Sequence, residues 1–253
     1  MIDFVGAGPG AEDLITVRGM ELIKKADVIV YAGSLVNPKL LEYAKEDVII
    51  HNSAYMTLEE VMKVMICAHE EGKNVVRLHT GDPSLYGAIR EQMDILDERG
   101  ISYRVCPGVS ACFAAASSLG IEYTLPSISQ TLIITRLEGK TPVPEKESME
   151  ALASHGASMA VYLSTGMLKS LSLKLIEGGY APDTPAAIVY KASWPDEEKS
   201  FLCTVETLNE TAEKNNITKT AVILVGEATH PKYYDRSKLY DPSFSTEYRK
   251  AKE

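Results

Sequence analysis

The 253-residue chain carries 26 Lys and Arg against 35 Asp and Glu, a formal net charge of −9, with 45% apolar and 24% charged residues. That length holds one large domain or two small ones, each with a real core, and the acidic balance argues against a protein that grips nucleic acid. No run of eighteen apolar residues occurs, the start MIDFVGAGPG has no basic n-region, and Cys67, Cys106, Cys112 and Cys203 show neither C-x-x-C pairing nor zinc spacing. The expectation is a cytoplasmic protein with no membrane span, no secretory signal and no metal site.

In chain order, residues 2–5 read as a strand and residues 16–26 as a helix whose apolar stripe is Val17, Met20, Leu22 and Ile23. The apolar run at 28–31 suits a strand buried on both faces, and 48–50, 75–78 and 103–105 repeat it. Between them, 57–71 and 88–99 are amphipathic helices. Thr57 and Glu60 have capping-box spacing, and Gly72 and Gly100 sit where helix C-terminal glycines belong. Strands alternating with helices imply βαβ units and a largely parallel sheet. The rhythm breaks near 119–129, where a helix over 110–119 ends at Gly120 and an extended stretch with Pro126 follows. Strand-type runs then recur at 131–135, 159–163, 186–190, 201–204 and 221–225, with a hairpin around 194–198 that calls for antiparallel pairing. The expected fold class is α/β with two α/β domains. The N-terminal one (1–120) has a largely parallel sheet with flanking helices. The C-terminal one (121–253) has a mixed sheet and a polar, tyrosine-rich tail after Pro231.

Three strand-to-helix turns carry the candidate chemistry. The first, Gly6-Ala7-Gly8-Pro9-Gly10-Ala11, loosely satisfies the dinucleotide fingerprint G-x-G-x-x-G/A. It has two defects. Pro9 offers no N–H to a pyrophosphate, and the run at 28–31 ends in Ala32-Gly33-Ser34 rather than an acidic residue. The second, Thr80-Gly81-Asp82-Pro83-Ser84-Leu85-Tyr86-Gly87, follows an apolar strand, where ligands of open α/β sheets bind. Asp82 can serve that site or cap the following helix. The third, Cys106-Pro107-Gly108-Val109-Ser110-Ala111, opens a helix rich in small residues. Those residues let either a flat group or the sheet approach closely.

Together these turns resemble the tetrapyrrole methylase family, the class III methyltransferases, and the similarity spans essentially the whole chain. Segments 27–36 (DVIVYAGSLV), 78–92 (LHTGDPSLYGAIREQ) and 239–249 (LYDPSFSTEYR) are similar to the branch that methylates carbon 11 of precorrin-4 or cobalt-precorrin-4 in cobalamin (vitamin B12) biosynthesis. The resemblance implies a homodimer with S-adenosylmethionine held between the two domains and a tetrapyrrole substrate bearing several carboxylates. Carried over by position, it implies cofactor contacts at Pro9, Gly81, Asp82, Pro83, Leu85, Ser110, Ala111, Leu163 and Ala187.

Arg77, Arg90, Arg104, Arg136 and Lys191 lie on or near strand ends or binding loops and are candidate partners for substrate carboxylates. No catalytic triad is expected, because the sulfonium already activates the methyl group, and no G-x-S-x-G elbow is present. His79 and Tyr86 are the candidates for managing a proton or bonding substrate, against structural roles for both. Methylation of a different corrin-pathway intermediate, a nicotinamide-dependent oxidoreductase built on the first turn, and a non-catalytic tetrapyrrole carrier are the alternatives.

Overall fold

The computed structural model describes residues 1–251; positions 252 and 253, the end of the expected second domain, lie outside the described residues. The chain divides into two compact units. One comprises Met1–Ala115 with Lys191–Glu198, the other Ala116–Tyr190 with Lys199–Glu253.

The first unit holds β1 (Ile2–Gly6), α1 (Val17–Lys25), β2 (Val28–Tyr31), β3 (Ile49–Asn52), α2 (Leu58–Glu70), β4 (Val75–His79), α3 (Arg90–Glu98) and β5 (Tyr103–Cys106), and it contains the start of α4 (Ala111–Leu119). Its five-stranded sheet runs β3-β2-β4-β1-β5 and every pairing is parallel, as expected from alternating strands and helices. Strand alternation sends Ile2, Phe4, Val28, Val30 and Val75 to one face, under Val61, Met62, Met65 and Ile66 of α2 and Leu96 of α3. Val5, Ile29, Val76 and Leu78 go to the other face, against Ile23 of α1. Local signals set the helix ends. The Thr16 hydroxyl accepts from Gly19 N–H at 3.1 Å, and Thr57 and Glu60 form the full capping box at 3.3 and 2.8 Å. Gly72 and Gly100 end α2 and α3 at φ 77° and 66°.

The second unit holds β6 (Leu132–Arg136), α5 (Met149–Ala153), β7 (Ser158–Tyr162), α6 (Leu168–Glu177), β8 (Pro185–Tyr190), β9 (Lys199–Thr204), α7 (Leu208–Lys214) and β10 (Ala221–Val225). Its sheet order is β6-β7-β10-β8-β9, with β6 and β7 parallel and the remaining pairs antiparallel, the mixed sheet that the sequence predicts. Met159, Val161, Ala186, Ile188, Ile223 and Val225 form one buried face with Leu171 and Leu175 of α6 and Leu208 of α7. The alternate residues Ala160, Ala187, Val189 and Leu224 are also fully covered, on the opposite face. The tail after Pro231 is largely irregular and exposed. The Arg249 guanidinium gathers it by donating to the carbonyls of Leu239, Asp241 and Phe244.

Candidate active site

Because β1 lies between β4 and β5, the turns leaving these three strands meet at the carboxyl edge of the first sheet. They meet through backbone. Ala7 N–H donates to His79 O at 2.7 Å, and Gly8 and Gly81 exchange both bonds, 3.3 Å from Gly8 N to Gly81 O and 2.8 Å in return. A Cβ on Gly6 would stand 2.6 Å from Gly108 Cα, and one on Gly108 would stand 2.1 Å from Gly81 O. The glycines of the first turn therefore serve contact between loops. Gly8 has already given its amide to Gly81, so the turn is no phosphate cradle, and the dinucleotide reading is corrected on that ground.

Asp82 draws the third turn in. Its carboxylate accepts from Gly108 N–H at 2.8 Å, from Ser84 N–H at 2.9 Å and from the Ser84 hydroxyl. Burial pushes its pKa up, but the Ser84 and Gly108 donors outweigh that and hold it below the usual carboxylate range. Asp82 caps no helix: α3 begins at Arg90 after an N-cap residue, Ile89, that makes no side-chain cap bond. The delay has a backbone cause. Tyr86 and Ala88 sit at φ 57° and 49°, left-handed values that interrupt the helix expected from residue 88. Between them Gly87 passes so close to Pro83 that a Cβ would lie 2.2 Å from its carbonyl oxygen. Such local strain persists only where the surroundings enforce it, and it concentrates at functional loops.

Six of the expected cofactor positions, Pro9, Gly81, Asp82, Pro83, Ser110 and Ala111, are thus gathered at one edge of one sheet. Gly81 faces Ser110 Cα and Ala111 N at an ordinary 3.7 and 3.9 Å from a built Cβ. Pro9, Pro83 and Ser110 are buried, while Leu85 and Ala111 are partly exposed. Tyr86 is 44% exposed. His79 is buried with its ring stacked on Phe4. Burial, then the nearby Arg77 charge, pulls its pKa down to about 3, so at neutral pH it is an uncharged imidazole and carries no acidic proton of an imidazolium.

The basic candidates are less concentrated. Arg77 lies within the first unit, donating to Gln92 Oε1 and Val30 O at 3.2 Å each, and is not a residue offered to a ligand's carboxylate. Arg104 makes a two-pronged pair with buried Asp3 (2.7 and 3.0 Å), and Arg90 pairs with Asp94 and Asp97 along α3. Lys191 pairs with Glu197 and lies 4.8 Å over the Trp194 ring. In the second unit Arg136 donates to the carbonyls of Thr141 and Pro142 at 3.1 and 2.7 Å. Leu163, just after β7, is 62% exposed at φ 52°, an unusual state for a leucine. Ala187 is fully covered in mid-β8.

The sequence reading missed what supports the first turn. The Asn37 amide donates to Gly10 O at 2.8 Å, Ala11 N–H donates to Ser193 Oγ at 3.1 Å, and a Cβ on Gly10 would strike the Trp194 indole at 2.2 Å. The last two contacts are made by the hairpin Lys191–Glu198, which belongs to the first unit although its flanking strands lie in the second. A lone tryptophan in an otherwise polar turn was the available signal. Gln92 was missed too; its mark is a polar residue on the same helix face as Ile89 and Leu96.

The family model for tetrapyrrole (corrin/porphyrin) methylases matches residues 1–209. The cobalt-precorrin-4 C(11)-methyltransferase of Methanocaldococcus jannaschii is 56% identical over 98% of this chain and 95% of its own length. The precorrin-4 C(11)-methyltransferase of Pseudomonas aeruginosa is 45% identical over 94% of each chain. The solved structure of a cobalt precorrin-4 methyltransferase, described as a cobalamin biosynthetic enzyme, superposes with a TM-score of 0.88 at 45% identity, covering 91% of this chain and 96% of that one. A Thermus thermophilus uroporphyrin-III C-methyltransferase, solved with S-adenosylhomocysteine, shares the fold at a TM-score of 0.73 and 22% identity, over 93% of this chain and 96% of its own. With the model matching well over half the chain and relatives this similar along nearly its full length, the protein belongs to the tetrapyrrole (corrin/porphyrin) methylases.

Proposed function

We propose that this protein transfers a methyl group from S-adenosylmethionine to carbon 11 of precorrin-4 or cobalt-precorrin-4 in cobalamin biosynthesis. The observation that carries the reading is the 56% identity, over 98% of the chain, to an enzyme named for that reaction. The residues present fit the methyl donor. Gly81, Ser110 and Ala111 lie side by side, and the turn is held rigid by the Gly8–Gly81 bonds and by Asp82 on Gly108, as suits a preformed small-molecule site. Gly81, Asp82, Pro83, Leu85, Pro9, Ser110 and Ala111 would hold it, and Leu163 and Ala187 are proposed as apolar contacts.

When bound, S-adenosylmethionine supplies a methyl group already activated by its sulfonium. What remains for the chain is orientation and exclusion of water. Holding reactants in line is worth roughly 7–11 kcal/mol of a barrier. The interlocked turns suit that task because glycine backbone bonded to glycine backbone has no side-chain freedom to lose. Arg136, Lys191, Arg90 and Arg104 remain the proposed carboxylate partners, each available only by exchanging its present bonds. The same reading takes the protein to be a cytoplasmic homodimer, consistent with four free thiols. Among the described residues no helix is long and apolar enough to cross a membrane.

Incubation with methyl-labelled S-adenosylmethionine and each corrin-pathway intermediate, with the product mapped by carbon NMR, tests the proposal. Label at carbon 11 of precorrin-4 or its cobalt form is expected. Transfer only to another intermediate would overturn the assignment.

A further inference from the structure

We infer that Arg77, although buried, is a positioning residue for the loop at residues 80–88, acting through Gln92. The inference rests on the proposed reading of that loop as the S-adenosylmethionine site.

Arg77 is 7% exposed on β4, and among the described residues no carboxylate pairs with it. Burying a guanidinium without an anion is costly, and an apolar side chain of similar length would pack between sheet and helices without that penalty. Burial lowers its pKa only to about 10, so the charge persists at neutral pH. Its two bonds are directional. One goes to Val30 O in the neighbouring strand, the other from Nε to Gln92 Oε1. The second bond orients an amide. A glutamine amide can point its oxygen either way, but guanidinium only donates, so Oε1 must face Arg77 and the NH2 must face away. It faces Ala88, whose carbonyl accepts from Gln92 Nε2 at 3.1 Å. Ala88 is one of the two left-handed non-glycine residues in the loop, and Tyr86, two residues earlier, is the other. Gln92 itself is 4% exposed in the first turn of α3. A charge held inside the unit thus fixes, through one amide, the end of a loop whose backbone is strained.

The test measures three quantities on wild type, Arg77→Met and Gln92→Glu. They are amide hydrogen exchange over residues 80–88 without ligand, S-adenosylhomocysteine affinity by calorimetry, and Tm. Gln92→Glu is the decisive variant, because it gives Arg77 a carboxylate and removes the donor to Ala88. A structural role for Arg77 predicts a higher Tm with unchanged loop exchange and affinity. Positioning predicts an unchanged or higher Tm, with loop exchange and Kd each rising about tenfold, the loss of one hydrogen bond. Arg77→Met should behave the same way; if it does not fold, Gln92→Glu carries the test alone. Unchanged exchange in Gln92→Glu overturns the inference. If wild type binds no S-adenosylhomocysteine, the cofactor reading falls, while exchange in the unliganded variants still decides the relay.

Discussion

Two neighbouring turns at the same sheet edge solve opposite problems. The turn after β1 is closed: Gly6 and Gly8 are pressed against Gly108 and Gly81, and Gly10 lies against Trp194. The turn after β4 is held under strain, with Tyr86 and Ala88 at positive φ; Gln92 of α3 bonds the Ala88 carbonyl, and the turn's own Asp82 clasps Gly108. Glycine richness therefore marks where backbones touch. The loop better suited to a ligand is the one where residues with side chains are forced into conformations they disfavour.

Substitutions at the two turns should separate accordingly. Gly108→Ala puts a Cβ against the Gly81 carbonyl and Gly6 Cα, which are backbone atoms that cannot swing aside. It should destabilise by about 4 kcal/mol and abolish S-adenosylhomocysteine binding, read by urea unfolding and calorimetry. A near-neutral result would mean the three turns do not interlock.

Acid should attack the base of the β4 turn next. The folded pKa of His79, about 3, lies below the ordinary 6.5, so the unfolded chain takes up the proton first. Stability is then complete above pH 6.5 and declines as pH falls from there toward 3, with a slope approaching ~1.4 kcal/mol per pH unit. Urea midpoints across that window should show the slope, and His79→Phe, which keeps a ring beside Phe4, should flatten it.

Asp82→Ala removes three accepted bonds and should cost on the order of 2 kcal/mol, with faster amide exchange at Gly108 as its local signature. The smallest change should have the opposite sign. Ala88→Gly relieves a left-handed alanine and is expected to stabilise by about 0.5 kcal/mol, because the relief slightly exceeds glycine's extra unfolded-state entropy. It should nonetheless weaken S-adenosylhomocysteine binding; tighter binding would show that the strain serves nothing.

Much of this was legible from residues near one another in the chain. The Thr57–Glu60 box, the terminal Gly72 and Gly100, the alternation that makes a parallel sheet and the hairpin that makes the second sheet mixed are all written within a few residues of where they act. So is the run from Gly81 to Gly87, which together with Pro107–Ala111 carried the family resemblance. These features depend on short-range geometry, and periodicity and capping report short-range geometry directly.

What only the tertiary structure decided is how positions distant in sequence share one edge. Strand order β3-β2-β4-β1-β5 places Gly6, Gly81 and Gly108 in backbone contact and turns Asp82 from a candidate helix cap into a clasp on the third turn. It also sends Arg77 inward to Gln92 rather than outward to a ligand, while the hairpin after β8 sets Trp194 against Gly10. Strand order and register are set by the whole core, through contacts between residues tens of positions apart, and no local pattern in the chain encodes them.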